Sequence, residues 1–178
     1  QPAKREILIN DLLSSGEFVD KWTMWFGDLL ANNSNQSNIA RGNFGRNAFH
    51  DWIRTSLGEG KPWRDMAFEA LTATGNSFDA TTGAVNNLLG GRAVMGPTQD
   101  IYDLMLAQTA DRFLGLGHYD CLLCHDGRRH LDELSLWGKS MTRLEAFKMS
   151  AFFSRTAIEQ PRFTDFYSGS FVMSDRTT

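Results

Sequence analysis

Both cysteines of the 178-residue chain, and three of its four histidines, lie in the stretch HYDCLLCHDGRRH, residues 118–130. Cys121, Cys124 and His125 spell C-x-x-C-H, the attachment motif of a c-type haem. Thiols one turn apart can reach the two vinyl groups of one porphyrin, and the following histidine is then held beneath the iron. The spacing predicts one covalent haem c, bound through Cys121 and Cys124, with His125 as the proximal ligand.

Three other roles for paired cysteines fit this chain less well. A thioredoxin-like redox pair opens a helix after a strand in a βαβ unit, and the sequence shows no such alternation. A structural zinc site has four ligands in two spaced pairs, and the sequence has no second cysteine pair. A disulfide between Cys121 and Cys124 would close a loop too short to restrict the unfolded chain by much. The residues therefore favour haem attachment.

The motif does not identify the ligand on the opposite face of the haem. Met24 is the leading candidate, because KWTMWFGDLL surrounds its thioether with aromatic and aliphatic side chains that could shield a haem face. His50 is a second candidate, although a partly buried histidine bonded to a neighbour is the simpler interpretation of NAFHDWI. Met105, Met95 and Met149 follow, and an iron with no protein ligand opposite His125 stays open.

Several side chains near the motif are predicted to have supporting roles. Arg128 and Arg129 could neutralise the haem propionates, with a solvated arginine pair as an equal interpretation. Trp137 could stack on the porphyrin, whereas packing against the last helix is the simpler interpretation. His118 and His130 share a short segment with His125, so both are expected at the periphery rather than on the opposite haem face.

The composition indicates one soluble-type globular domain without a surface for nucleic acid. Apolar residues make up 42% of the chain and charged residues 22%, and the formal net charge is −3, which argues against binding to nucleic acid or an anionic membrane surface. No run approaches the ~18 apolar residues of a membrane span, and QPAKREILIN lacks the apolar core of a signal peptide. We expect a processed chain or a piece of a longer one.

Apolar residues recur at three- and four-residue spacing, which predicts an all-α fold. The expected architecture is an irregular bundle of about five to six helices around one covalent haem c, with a long Gly-rich loop over residues 74–97. The helices are predicted over residues 5–15, 17–31, 45–57, 62–74, 99–115 and 142–157.

Local signals set the expected helix ends and the domain boundary. Capping boxes are predicted for Ser14 with Glu17 and for Thr142 with Glu145, and Thr98 is predicted to cap the fifth helix. The haem-binding domain is expected over residues 1–160. Residues 161–178 form a tail, which leads into a further domain or ends a fragment.

Over residues 5–157 the chain resembles an uncharacterised c-haem domain of planctomycete-type cytochrome c proteins and their acidobacterial relatives. The resemblance rests on REILINDLLSSGEFVDKWTMWFGDLL, GRNAFHDWIRTSLGEGKPWRDMAFEALTATGN, TADRFLGLGHYDCLLCHDG and LWGKSMTRLEAFKMSAFFSRT. It implies exported, surface or periplasmic proteins of several domains, of which this domain is the first. Many members carry W-x-x-H-W in the second helix. Residues 22–26 here are WTMWF, so Met24 becomes the natural substitute for that histidine as an iron ligand.

Together, these observations predict an electron carrier rather than an enzyme. The expected function is single-electron transfer to or from a redox protein partner or neighbouring haem domains, in a larger extracytoplasmic protein or a membrane-associated complex. Covalent haem attachment requires an oxidising maturation route, so the location follows from the cofactor. Two competing functions are a haem-based gas-binding or peroxidase-like protein, and a structural or docking subunit of a respiratory or photosynthetic assembly.

Overall fold

The computed structural model describes residues 3–34, 41–90, 97–159 and 170–177, and most of them are helical, as predicted. The α-helices in these ranges are α1 (Ala3–Leu13), α2 (Gly16–Leu29), α3 (Gly42–Gly58), α4 (Trp63–Thr72), α5 (Asn86–Leu89), α6 (Thr98–Leu114) and α7 (Arg143–Ser150). The same ranges contain short 3₁₀ segments at Ala80–Val85, Tyr119–Leu123, Gly138–Ser140 and Ala151–Phe153. Among the described helices, none has both the length and the apolar character needed to cross a membrane.

A small antiparallel sheet corrects the all-α prediction. It contains β1 (Gly75–Asn76), β2 (Thr156–Glu159) and β3 (Val172–Asp175), with β3 in the centre. Met173 of β3 lies opposite Gly75 on one side and Ile158 on the other, and only 1% of Met173 is exposed. Strands of two to four residues are too short to show a recognisable alternation in the sequence. The described part of the tail therefore contributes a buried strand.

Two helices begin with different caps from those predicted. The hydroxyl of Ser15, not Ser14, accepts the N–H of Phe18 at 3.2 Å and caps α2. Helix α6 begins at Thr98 with Pro97 in the capping position, so Thr98 is the first helical residue rather than the cap. In both cases the helix exists as predicted and its first turn is shifted by one residue.

The last helix is capped as predicted but ends early. Thr142 accepts the N–H of Glu145 at 3.2 Å, and the Glu145 carboxylate accepts the N–H of Thr142 at 2.8 Å, which confirms the capping box. These backbone and hydroxyl donors lower the pKa of Glu145. Helix α7 ends at Ser150 instead of Ala157, because a 3₁₀ turn and strand β2 occupy the residues that follow.

Residues 83–90, predicted as part of a long Gly-rich loop over residues 74–97, instead form a buried layer of the fold, whereas Thr74 and residues 79–81 are exposed. Every residue from Gly83 to Gly90 is buried, in the 3₁₀ segment and α5. Gly83 lies so close to α3 that a Cβ atom there would overlap the carbonyl oxygen of Ala48. The glycines therefore permit close packing here and do not indicate an irregular loop. Residues 91–96 of the predicted loop lie outside the described residues.

Buried apolar side chains form three clusters. The first surrounds Phe49 and Ile53 of α3, and the second surrounds Leu89 and Met105 and includes residues of β3. The third cluster lies where α6, α7 and the segment after α6 meet. Its buried members are Leu106, Ala107, Ala110, Tyr119, Leu122, Leu131 and Ala146. The C-x-x-C-H segment is therefore built on the third cluster.

Arg41 is fully buried and fastens the start of α3 to two other parts of the chain. Its Nε donates to the carbonyl oxygen of Asn86 at 2.9 Å, and its Nη1 donates to that of Ala31 at 2.6 Å. The guanidinium also lies over the ring of Phe49, 5.2 Å from its centre. Burial, together with the nearby charge of Arg112, lowers the pKa of Arg41.

Candidate functional site

The C-x-x-C-H segment forms a 3₁₀ turn at the end of the connection from α6. Cys121 belongs to the 3₁₀ segment Tyr119–Leu123, and the N–H of Cys124 donates to the carbonyl oxygen of Cys121 at 3.3 Å. In a 3₁₀ helix, side chains three residues apart lie above one another. The turn therefore places the two thiols on one side of the segment.

Of the two residues between the cysteines, Leu122 anchors this turn to the core. Leu122 is fully buried in the third cluster, beside Tyr119, of which 1% is exposed. Cys121 is half-buried and Cys124 is exposed, and both thiols are free. Because Leu122 points into the core while the flanking cysteines are accessible, the thiols are available to a ligand outside the cluster.

His125 has one ring nitrogen bound and the other available. Its Nδ1 lies 2.9 Å from the carbonyl oxygen of Asp126, which can only accept a hydrogen bond. Nδ1 is therefore the donor of this bond, and Nε2, which has no hydrogen bond to any described residue, is the acceptor position of the neutral ring. Histidines that bind metals use this arrangement, in which a backbone carbonyl fixes the ring and its tautomer.

His130, which the sequence analysis expected at the periphery of the site, lies directly beside His125. The centres of the two rings are 4.0 Å apart at an angle of 35°, because a turn from Gly127 brings residue 130 back over the segment. His130 thus contacts the ring of His125 directly. In the described part of the chain, no three His, Cys, Asp or Glu side chains are grouped so as to hold a metal ion.

The loop that follows His125 is supported by a close approach between the backbones of Gly127 and Gly138. The N–H of Gly127 donates to the carbonyl oxygen of Met141 at 3.0 Å, and its own carbonyl accepts the N–H of Leu131 at 2.7 Å. A Cβ atom at Gly127 would overlap the carbonyl oxygen of Gly138. The carboxylate of Asp126 accepts the N–H of Arg143 at 2.7 Å, which joins the loop to the start of α7.

The supporting residues predicted from the sequence lie at or near the segment. Arg128 and Arg129 are both exposed. Trp137 is half-buried and stacks on Tyr119, with ring centres 5.5 Å apart and an interplanar angle of 18°. Burial raises the pKa of Tyr119, whose hydroxyl donates to the sulfur of Met149 at 3.4 Å. In this arrangement Trp137 packs on the third cluster.

The candidate ligands for the opposite haem face are dispersed. Met24, with 72% of its surface exposed, lies beside His50 at a cavity of about 380 Å³ between α2 and α3. Met105 is buried in the second cluster, and Met95 lies outside the described residues. The C-x-x-C-H segment packs on α6 and α7. The structure therefore brings Met24 and His50 together, and no contact among the described residues joins either one to His125.

Two methionines belong to the partly buried side chains around the third cluster, as does Cys121. They are Met141, which the sequence does not single out, and Met149. Met149 follows Met24, His50, Met105 and Met95 among the ligands expected from the sequence, because nothing in its local sequence distinguishes it.

A cavity of about 530 Å³ adjoins the C-x-x-C-H segment, and the sequence did not predict it. One wall is a face of α6, with residues at positions 104, 107, 108 and 111, and the other is the segment 117–120. The spacing of the four positions on α6 was the available signal, since residues at i, i+3, i+4 and i+7 share one helix face. His118 lines this cavity and adopts a left-handed backbone with a φ of 64°.

The fold and the site define a mostly helical domain that presents an accessible C-x-x-C-H segment. Residues 1–157 match the family PSCyt2, described as a protein of unknown function (DUF1549). The chain belongs to this family. No curated protein and no solved structure matches it. The matched region ends inside β2, so the described residues of β3 lie beyond it.

Proposed function

We propose that this chain is a monohaem c-type cytochrome domain that transfers single electrons within a larger extracytoplasmic redox protein or complex. The observation that carries the proposal is the state of His125. Its Nδ1 is fixed by a backbone carbonyl at 2.9 Å, so Nε2 is free to bind iron. A histidine that served only in packing would not need one nitrogen directed and the other left open.

The thiol arrangement supports the same function. Cys121 and Cys124 would hold the porphyrin through thioether bonds, since the 3₁₀ turn places both thiols on one side and both are free. When bound, haem supplies one-electron Fe(II)/Fe(III) chemistry. The protein's contribution is to orient the ring of His125, to anchor the turn through Leu122 and to surround the site with the third cluster.

The surroundings of the segment also suit a large planar group with acidic substituents. The cavity of about 530 Å³ is lined in part by residues 117–120, which directly precede Cys121 in the chain. Arg128 and Arg129 follow His125 in the chain, and both are exposed, so they could pair with the propionates. In this proposal the electron partner is a redox protein or a neighbouring haem domain.

The proposal predicts a covalent mass increase. When the chain is exported in a host that carries a c-type haem maturation system, its denatured mass is expected to rise by the mass of one haem. The double variant Cys121→Ser/Cys124→Ser should keep the bare polypeptide mass, because serine cannot form the thioether bonds. Intact-protein mass spectrometry after unfolding measures both.

His130→Ala is the matched control for the mass experiment, because His130 contacts His125 but has no thiol. This variant should still gain one haem. If the wild-type chain keeps its bare mass in cells where a reference cytochrome c is matured, the proposed function is wrong.

For the opposite haem face we retain Met24 as the proposed ligand, with Met149 as the comparator. Met24 is 72% exposed, so its side chain is accessible to iron, whereas the sulfur of Met149 accepts a bond from Tyr119. Met24→Ala is expected to remove the charge-transfer band that methionine gives with ferric haem, and Met149→Ala to leave it in place. Loss of the band in Met149→Ala alone would reassign the ligand.

A further inference from the structure

A large cavity lies away from the C-x-x-C-H segment, between α3, α4 and the 3₁₀ segment Ala80–Val85. Its volume is about 640 Å³, within the ~300–1000 Å³ range of small-ligand sites. Hydroxyl side chains supply six of its thirteen lining residues, which are Thr55, Ser56, Thr72, Thr74, Thr81 and Thr82. The wall therefore combines hydroxyl-bearing side chains from several elements with the apolar surface of its tryptophan and alanine residues.

A fixed carboxylate forms the charged part of the wall. Both oxygens of Glu69 accept bonds from the Lys61 ammonium at 2.9 Å, and one of them also accepts the indole N–H of Trp52 at 3.0 Å. The bonds from Lys61, followed by that from Trp52, lower the pKa of Glu69, so it stays ionised at neutral pH. The carboxylate is thus held in one orientation while 41% of its side chain remains exposed.

Three of the six hydroxyl groups of the wall can only accept further hydrogen bonds. Thr72 donates to the carbonyl of Phe68 at 2.8 Å, Thr82 to that of Asn76 at 2.7 Å, and Thr81 to a carboxylate at 2.7 Å. Since each hydroxyl has one proton, these oxygens are left as acceptors. A complementary ligand must therefore be rich in hydrogen-bond donors.

Two further groups of the wall lack partners of their own. The buried Oγ of Ser56 has no hydrogen bond, although only 1% of Ser56 is exposed. The hydroxyl of Thr74 has no hydrogen bond to any other described residue. The Oγ of Ser56 is inaccessible, so of these two groups the hydroxyl of the exposed Thr74 is the one that a ligand in the cavity can reach.

The charges and hydroxyl groups of the wall disfavour three other classes of ligand. Lys61 is the one cation among the described lining residues, and Glu69 already neutralises it, so phosphate or another anion would lack a counter-charge. A cationic amine at Glu69 would lie close to the Lys61 ammonium, which already bonds to both carboxylate oxygens, whereas a neutral hydroxyl donor meets no such repulsion. An apolar ligand would leave the hydroxyls desolvated.

We propose that this cavity binds a neutral, hydroxyl-rich ligand of the saccharide class. Sugar hydroxyls would donate to Glu69 and to the threonine oxygens, and the alanines of the wall (Ala73, Ala80 and Ala84) would contact the C–H surface of the sugar. The site is distinct from the C-x-x-C-H segment, so the proposal is independent of haem binding.

The indole N–H of Trp52 provides a local reporter, because it donates to Glu69 in the wall. Maltotriose, cellotriose and xylotriose, each titrated to ~30 mM into the ¹⁵N-labelled full chain, are expected to include at least one that shifts this NMR signal saturably, with a millimolar Kd. A Trp52→Phe variant assigns the signal among the five tryptophans.

Variants of the wall test the assignment. Glu69→Gln is expected to weaken binding about tenfold. The ligand's hydrogen bond to an ionised carboxylate would be replaced by a weaker bond to a neutral amide oxygen. Thr74→Val should weaken it severalfold without loss of folding, since its hydroxyl has no described partner. Glu59→Gln, at the exposed end of α3, is the matched control and should bind as the wild type does.

Three outcomes would overturn the proposal. One is the absence of a saturable Trp52 shift with all three trisaccharides. The second is a shift with sodium phosphate or putrescine at lower concentration than with any sugar, which would make the site ionic. The third is binding that neither Glu69→Gln nor Thr74→Val weakens, which would mean that the ligand binds at another site.

Discussion

Replacement of Gly127 by alanine is expected to destabilise the fold by ~3 kcal/mol or more. The added methyl group would overlap the carbonyl oxygen of Gly138 and lie 3.3 Å from the side chain of Leu122, so the two backbone segments would have to separate. Separation would stretch the bond from the N–H of Gly127 to Met141 and displace the loop that holds Asp126 under His125. Urea denaturation, followed by circular dichroism, measures the change as a lower midpoint.

Gly117→Ala is the matched control for this prediction. Its new Cβ would have the oxygen of Asp111 as its nearest neighbour, at 3.8 Å, which is ordinary contact. Its stability should stay within ~0.5 kcal/mol of the wild type. An unchanged midpoint for Gly127→Ala would mean that the two glycines do not cross as closely as the structure shows.

Replacement of Arg41 by alanine is expected to cost about 3–5 kcal/mol of stability. The change removes the bonds to the carbonyl oxygens of Ala31 and Asn86, which would be left buried without those donors, and it empties the space under Phe49. The loss would be visible as a lower midpoint in thermal and urea unfolding. Arg41→Lys should recover little of it, because an ammonium cannot donate in two fixed directions along a planar fork.

Arg54→Ala on the same helix is the control for Arg41. Its Nε donates to Asp20 at 2.9 Å, but about half of each side chain is exposed, so the loss should be at most ~1 kcal/mol. The variant Arg41→Met separates the effect of the lost hydrogen bonds from that of the lost side-chain volume, because methionine is also a long side chain but has no donor. If Arg41→Met is as stable as the wild type, the two guanidinium bonds add nothing beyond packing, and the prediction fails.

Local signals in the sequence were sufficient for the helical elements and the chemical motif. The Thr142–Glu145 capping box forms as predicted, and Gly115, with a φ of 64°, ends α6 in the left-handed conformation that favours glycine. The C-x-x-C-H motif was identified from spacing alone. Each of these depends on residues within about four positions of one another, which is the range over which sequence patterns are informative.

The features that the sequence did not predict depend on distant partners. The glycines from Gly83 to Gly90 resemble a loop in sequence, and only the packing of Gly83 against Ala48 explains their burial. The aromatic residues around Met24 suggested a haem face. In the structure they contact one another, and Phe26 also contacts Trp63 of α4 at 5.1 Å between ring centres. The stacking of His130 on His125 likewise follows from a turn, not from spacing.

The position of β3 in the centre of the sheet sets the order in which the chain can complete its fold. Residues 172–173 pair with residues 75–76, so closure of the sheet requires pairing between segments about a hundred residues apart in the chain. During synthesis from the N-terminus, the thiols of Cys121 and Cys124 emerge while Phe171 and Met173 are still missing from the second cluster. The C-x-x-C-H segment therefore emerges before β3, and the sheet is completed only after that segment has been made.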